Sequence, residues 1–327
     1  MSVPLLLPLP VPYAVRVVNA YLLLGEPLTL VDPGADWPDT RSELEAGLAG
    51  HGLRVEDVER LVITHQHHDH VGLAHWIKER SGADVVAHGG IVEHLARLSD
   101  ESMEAEDQFQ AEVMRGNGVA EDRIQQLYEV SKAHRVYGGS VTVDVPVREG
   151  DVVQAGTHTL TAHERPGHSP SDLVFVDSTG DFALGGDHLI ATISSNPVVH
   201  RPLGRPADPR DRPQALVAYL DSLRRTAALD VTSVLPGHGP PVTDHGRLIG
   251  ERMTFHERRK ERMVESFGDE PLTAHELALV IWGEVARKEP FLTLSEALGH
   301  LDLLEQEGRV VVEEGGDGVR RYVRAAS

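Results

Sequence analysis

Thr64-His65-Gln66-His67-His68-Asp69-His70 is the segment from which most of the chemistry of this chain can be inferred. It follows a short apolar run, Leu61-Val62-Ile63, which is typical of a buried strand. Two histidines at positions i and i+2 on a turn after a strand can converge on one metal ion. An aspartate and a histidine just beyond them can serve a second ion nearby. Such clusters are the usual sequence sign of a metal site. The candidate ligands are His65, His67, Asp69 and His70.

Two metal ions held close together can generate hydroxide at neutral pH and polarise an ester, thioester or phosphoester. The segment therefore predicts a hydrolase. A lone histidine is more often a surface residue or a hydrogen-bonded core residue. Four ligand-type side chains in this order at the end of a strand favour the metal site instead.

Four further short motifs accompany this segment, one before it and three after it: Val31-Asp32-Pro33-Gly34, Arg165-Pro166-Gly167-His168-Ser169, Gly185-Gly186-Asp187-His188-Leu189 and Leu235-Pro236-Gly237-His238-Gly239. Together with the H-x-H-x-D-H pattern they resemble the metallo-β-lactamase superfamily, over roughly residues 1–250. The resemblance implies an α/β (α+β) fold, an αββα sandwich of two sheets covered by helices.

The resemblance also implies the role of each side chain in these motifs. Asp69 and Asp187 are the candidate catalytic residues, and Asp32 would accept a ring N–H from a ligand histidine and fix its tautomer. Histidine and carboxylate ligands suit zinc, with iron or manganese as alternatives, so two Zn²⁺ per chain are expected. One ion would be held by His65, His67 and His168, the second by Asp69, His70 and His238, and Asp187 would bridge the two.

Other histidines lie near these motifs without matching a ligand position. His68 and His188 are expected to point away from the metals or to line the pocket. His200 follows a loop after Asp187 and is a candidate for substrate contact. His256 is expected on a solvated face of a charged helix.

The composition limits the class of protein. The chain of 327 residues has no cysteine, which excludes disulfides and thiolate ligands. No apolar run reaches the roughly 20 residues of a membrane span. The apolar start, residues 1–12, lacks a basic segment and is expected to form a first strand rather than a signal peptide, so a cytoplasmic location is expected. The formal net charge of -20 argues against a nucleic-acid partner.

Two segments differ from the alternating strands and helices of the remainder. Residues 99–137 are acidic with helical spacing and a break at Asn117-Gly118, which predicts a helical insertion, either a solvated pair or a lid. Residues 251–327 predict a small second domain that begins with a charged helix at Phe255–Phe267. A capping box follows at Thr273 and Glu276. The domain would end with a helix at Ser295–Gln306 and a hairpin, an order that resembles a winged-helix domain.

The metal site itself does not select the substrate. The favoured function is hydrolysis of a small-molecule ester, an acyl-thioester or a lactone. An endoribonuclease acting on single-stranded RNA is the alternative, because the superfamily branch with a winged helix includes such enzymes. A non-catalytic metal-binding protein is a third possibility. The C-terminal segment, where acidic residues outnumber basic ones, is expected to serve as a structural or dimerisation module, so a homodimer is possible. A basic stretch keeps the RNA hypothesis open: Arg201, Arg205, Arg210, Arg212, Arg224 and Arg225.

Overall fold

The computed structural model describes residues 3–98, 100–203 and 207–325. The first two residues of the expected first strand, the first residue of the expected insertion, Arg205 and the last two residues lie outside the described ranges. Within these ranges the strands are β1 (Leu5–Pro10), β2 (Val17–Leu23), β3 (Thr29–Val31), β4 (Arg60–Val62), β5 (Asp84–His88), β6 (Val145–Val147), β7 (Val152–Ala155), β8 (His158–Glu164), β9 (Leu173–Asp177), β10 (Ala183–Gly186), β11 (Val234–Pro236), β12 (Val310–Glu314) and β13 (Arg320–Arg324).

The α-helices of the same ranges lie between and after these strands. They are α1 (Pro38–Ala49), α2 (His68–Val71), α3 (Ala74–Ser81), α4 (Val92–Ala96), α5 (Asp100–Arg115), α6 (Glu121–His134), α7 (Ala215–Ala227), α8 (His245–Glu265), α9 (Ala274–Trp282), α10 (Glu284–Lys288) and α11 (Pro290–Gln306). Among the described residues, no helix combines the length and the apolar character needed to cross a membrane.

The first sheet has the strand order β1-β2-β3-β4-β5-β6, antiparallel up to β3 and parallel from β3 to β6. Successive side chains of a strand point to opposite faces. Val31 and Val62 therefore face the second sheet, whereas Leu30 and Leu61 pack under α1 and α3. Burial on both faces explains why these strands are continuously apolar.

The second sheet has the order β11-β10-β9-β8-β7, with only the β10–β11 pair parallel. Phe175 and Leu160 contribute to the core between the sheets. Val174 and Val234 face outward and pack with Tyr219 and other side chains of α7 and α8. The layers are helix, sheet, sheet and helix, and the predicted αββα fold is confirmed.

Residues 100–134 form the helical pair α5 and α6, with a break at Asn117 and Gly118. Its apolar face shares one hydrophobic core with α8, α9, α11 and the β12–β13 hairpin. Phe109 and Ile124 come from the insertion, and Leu277 and Leu298 come from the C-terminal segment. We call this assembly of α5, α6 and residues 263–322 the cap.

Backbone hydrogen bonds join the two parts of the cap. The N–H of His275 donates to the carbonyl of Asn117 at 3.2 Å, and the N–H of Arg320 donates to that of Gly116 at 2.9 Å. The predicted capping box at Thr273 and Glu276 is present at the start of α9. Helix α8 runs unbroken through residue 250, so the division of the chain at that position stays a prediction, as does the likeness to a winged helix.

Candidate metal centre

The motif residues meet at one edge of the sandwich, where strands end. The H-x-H-x-D-H segment follows β4 and runs into α2, Asp187 follows β10 and His238 follows β11. His168 lies in the loop between β8 and β9. The fold thus places side chains that are distant in sequence on neighbouring loops.

Three histidine nitrogens converge at the first group of candidate ligands. His67 Nδ1 lies 3.0 Å from His65 Nε2 and 2.9 Å from His168 Nε2. Burial, together with the neighbouring histidines, lowers the pKa of His65 and His67, so these rings are neutral. Neutral imidazole nitrogens this close together present their lone pairs to one point, which is the arrangement that a metal ion requires.

The second group consists of Asp69, His70 and His238. His238 Nε2 lies 3.3 Å from Asp69 Oδ2, and His70 Nε2 lies 3.9 Å from the same oxygen. Asp187 lies between the groups, with Oδ1 3.4 Å from His70 Nε2 and Oδ2 3.7 Å from His168 Nε2. Its carboxylate is therefore placed where a bridging ligand is expected.

Unsatisfied polar atoms show that this cluster fits cations. Among the described residues, His70 Nε2, His238 Nε2 and Asp187 Oδ1 are buried without a hydrogen-bond partner, which is costly unless a ligand satisfies them. Burial lowers the pKa of His238, but Asp187 and Asp69 outweigh it and raise the pKa to about 9. The carboxylates thus attract positive charge into the cluster, as a metal site requires.

Asp32 lies behind two candidate ligands. Its Oδ2 accepts from Thr64 Oγ1 at 2.6 Å and from His70 Nδ1 at 2.9 Å. Because the Thr64 hydroxyl donates to Asp32, it accepts from His65 Nδ1 at 3.0 Å. Both ring protons are therefore on Nδ1, and both Nε2 atoms are free for a metal. Asp32 has a φ of 50°, a conformation that is uncommon for residues other than glycine and that aspartate adopts more readily than most.

Backbone carbonyls orient two more histidines. His238 Nδ1 donates to the carbonyl of Val17 at 2.6 Å, and His168 Nδ1 donates to that of Asn196 at 3.1 Å. The close approach of the backbone explains the glycine before His238. A Cβ on Gly237 would lie 2.4 Å from Asp187 Oδ1, so no other residue fits without displacing a candidate ligand.

His200 contacts a candidate ligand, a role that the sequence did not indicate. The sequence suggested only a contact with substrate. Its Nε2 lies 3.3 Å from His67 Nε2, and its Nδ1 lies 3.2 Å from Glu106 Oε1. His200 is separated from His67 by 133 positions and from Glu106 by 94, so no local spacing indicates the contacts.

The other histidines that lie near the motifs in sequence are found either at the cavity or in the core. His68 lines the cavity beside the centre. His188 points away and bonds Thr226 Oγ1 at 2.8 Å. The prediction of a solvated face for His256 is wrong, because this side chain is 2% exposed and packs between Tyr219 and His300.

The metal centre opens onto a cavity of about 1610 Å³. His67, Asp69, His168, Asp187 and His238 line its floor. The cap supplies its apolar wall, so the insertion is not merely a solvated pair of helices. The wall includes Met103, Met114, Leu127, Phe291 and Leu292.

The predicted basic stretch does not form a continuous groove in the described part of the chain. Arg212 is buried against Asp302, and Arg225 pairs with Asp221 on the surface. Of the described arginines of this stretch, only Arg201 lines the cavity, and Arg205 lies outside the described residues.

The fold and the paired histidine–carboxylate groups together define a metallo-hydrolase of the αββα class. The family model of the metallo-beta-lactamase superfamily matches residues 13–238. The chain belongs to this superfamily.

Three comparisons with individual proteins extend this result. The chain is 33% identical over 298 residues to "Probable metallo-hydrolase YqjP" of Bacillus subtilis (strain 168), covering 91% of each protein. It is 28% identical to a metallo-beta-lactamase family protein of Thermus thermophilus, whose crystal structure superposes with a TM-score of 0.79 and coverage of 98% of both chains. Hydroxyacylglutathione hydrolase of Methylobacterium nodulans is 28% identical over 221 residues, 67% of this chain and 62% of that protein. The long match to the Thermus protein includes the cap as well as the sandwich.

Proposed function

We propose that the protein is a dinuclear zinc hydrolase that cleaves an acyl-thioester or a lactone of a small molecule. The observation that carries this proposal is a doubled ligand set on the floor of a large cavity with an apolar wall. Ligand pockets of this kind are mostly apolar with a few convergent polar groups. The similarity to a hydroxyacylglutathione hydrolase, whose name denotes a thioesterase, supports the thioester as substrate.

The candidate ligands form two metal-binding groups that share one carboxylate. One ion would be held by His65, His67 and His168. The other would be held by Asp69, His70 and His238, and Asp187 would contact both ions. Bound zinc ions supply Lewis acidity, which lowers the pKa of water and polarises a carbonyl. Iron or manganese would suit the same donors.

The chain itself orients the candidate ligands and the attacking water. Asp32 and Thr64 hold protons on Nδ1 of His70 and His65, which keeps both Nε2 atoms directed at the centre. Asp69 lines the cavity, so its carboxylate can accept a hydrogen bond from the attacking water and orient it toward the substrate carbonyl. The water oxygen then bonds to the acyl carbon, the carbon–sulfur or ring carbon–oxygen bond breaks, and the proton that the water loses passes to the departing thiolate or alkoxide.

The apolar wall indicates the kind of acyl group. Leu127 and Met114 from the insertion and Phe291 from the C-terminal segment offer surface to a hydrocarbon chain, and burying each methylene there contributes about 0.8 kcal/mol. We therefore expect substrates with a long apolar acyl chain to be preferred over short ones.

The endoribonuclease alternative has less support. The net charge of -20 opposes binding of a phosphate backbone, and α11, the helix that would read nucleic acid, contains no lysine or arginine. We propose that the C-terminal segment forms part of the cavity wall, and a homodimer through this segment remains a prediction.

A hydrolysis assay on the zinc-loaded protein tests the proposal. The substrates are acyl-thioesters of increasing chain length, a set of lactones and a labelled single-stranded RNA, with the Asp187→Ala variant as blank. Turnover of thioesters or lactones that the variant lacks is the expected result. Cleavage of the RNA alone would overturn the proposal in favour of the endoribonuclease.

A further inference from the structure

One histidine of the centre presents a different ring nitrogen from the others. His65, His70, His168 and His238 use Nδ1 for a hydrogen bond to the protein, which leaves Nε2 for the metal. His67 directs Nδ1 at the centre instead. Its proton must therefore be on Nε2, and this N–H needs a different kind of acceptor.

The acceptor is the ring of His200. Nε2 of His67 donates to Nε2 of His200 at 3.3 Å, which requires His200 to carry its own proton on Nδ1. That N–H donates to Glu106 Oε1 at 3.2 Å. The two hydrogen bonds form a chain in which each donor fixes the tautomer of the next ring.

Glu106 is positioned to act as the last acceptor in this series of hydrogen bonds. It lies on α5, and it also accepts from the backbone N–H of Arg201 at 3.3 Å and from Gln110 Nε2 at 3.0 Å. Burial raises the pKa of Glu106, but the hydrogen bonds from His200 and its neighbours outweigh this effect and lower it, so the carboxylate is anionic. A fixed anion at this position favours the proton on His200 Nδ1.

We propose that Glu106 and His200 are positioning residues that hold His67 in the Nε2–H tautomer and thereby set the metal affinity of the His65–His67–His168 group. Because Glu106 belongs to the insertion, the cap then controls one metal position as well as the shape of the cavity. The inference rests on the proposed two-metal centre and is independent of the substrate.

The test compares metal binding by the full-length wild type, Glu106→Leu and Glu104→Leu. Glu104 lies on the same helix, two residues away, but bonds Tyr128 of α6 and Arg135, which follows α6, instead. Zinc affinities are measured by competition with a chromogenic chelator, and each position is followed by the visible spectrum of bound Co²⁺. We expect Glu106→Leu to lower the binding affinity for one of the two ions about tenfold to a hundredfold and to leave the affinity for the other unchanged. Glu104→Leu is expected to keep both affinities.

Two further variants keep the result interpretable. Glu106→Gln retains an oxygen that can accept from His200, so it should recover part of the lost affinity. His200→Phe keeps a ring of similar size without an acceptor, and it should reproduce the loss at one position even if Glu106→Leu fails to fold.

Unchanged affinities in Glu106→Leu or His200→Phe, or an equal loss at both positions, would overturn the inference. If the wild-type protein does not bind two ions, the proposed function itself is contradicted. The two failures are therefore distinguishable.

Discussion

The metal centre and the cap are assembled in different ways. Each candidate ligand of the centre lies within a few residues of a strand end, inside a short motif. The cap is formed by α5 and α6 together with residues 263–322, and these two parts meet only in three dimensions. The candidate ligands are therefore positioned by short local motifs, whereas the apolar wall of the cavity depends on packing between remote segments.

The largest effect is expected at the centre. Asp187→Ala removes the carboxylate that contacts candidate ligands of both groups, so turnover should fall at least about a thousandfold and metal content should decrease. Steady-state kinetics and metal analysis measure both. Asp181→Ala, an exposed position shortly before β10, is the control and should behave as wild type. Full activity of the Asp187 variant would contradict the two-metal mechanism.

Stability should respond most strongly where the cap joins the sandwich. Arg212 forms two hydrogen bonds with Asp302, at 2.8 and 2.7 Å, and both side chains are buried. Arg212→Ala leaves an unpaired buried carboxylate and should lower the free energy of unfolding by about 3–5 kcal/mol.

Chemical denaturation measures this loss, and the surface pair of Arg225 and Asp221 supplies the control. Arg225→Ala should cost no more than about 1 kcal/mol. The folded Arg212 variant should keep its full metal content. Loss of metal from the folded variant would show that the Arg212–Asp302 contact, as well as Glu106, couples the cap to the centre.

Cavity shape should affect specificity without affecting metal binding. Leu127→Trp places a larger side chain in the apolar wall, so kcat/KM for long acyl chains should fall about tenfold, with short chains much less affected. Val136→Trp alters an exposed side chain just after the helical pair and serves as the control. A uniform loss over all chain lengths would argue against the wall as the determinant.

The smallest effect is expected at the start of α9. Thr273 Oγ1 accepts from the backbone N–H of Glu276 at 3.1 Å, so Thr273→Ala should destabilise the protein by about 1 kcal/mol. Thermal unfolding detects the change, and Thr254→Ala, an exposed helical threonine, should shift the midpoint less. Altered zinc stoichiometry in the Thr273 variant would contradict a local effect on α9 and would show that this end of the cap also affects the centre.

The sequence predicted the sandwich and the candidate ligands because both depend on short patterns. Apolar strands and the H-x-H-x-D-H turn are visible within a few residues, and the structure brings the quoted side chains together. The contact between His200 and Glu106 has no such pattern, since it arises only when the loop after Asp187 folds against α5.

Helix α8 shows why a local pattern can mislead. Its charged sequence indicated a solvated helix from Phe255, but it begins at His245 with Asp244 as N-cap. Gly246 and Gly250 lower the local helix propensity by about 1 kcal/mol each, and burial of Leu248 and Ile249 against the second sheet outweighs that cost. Further along the same helix, His256 is buried between Tyr219 and His300.

The shared core of the cap has a consequence for synthesis on the ribosome. The apolar faces of α5 and α6 emerge early, whereas Met263, Leu277 and Leu298, which cover them, are translated near the end. A nascent chain therefore exposes Phe109 and Ile124 while most of the sandwich can already form. Premature termination after the sandwich would yield a chain with the ligand motifs and an uncovered apolar surface, a species prone to aggregation and a target for chaperones.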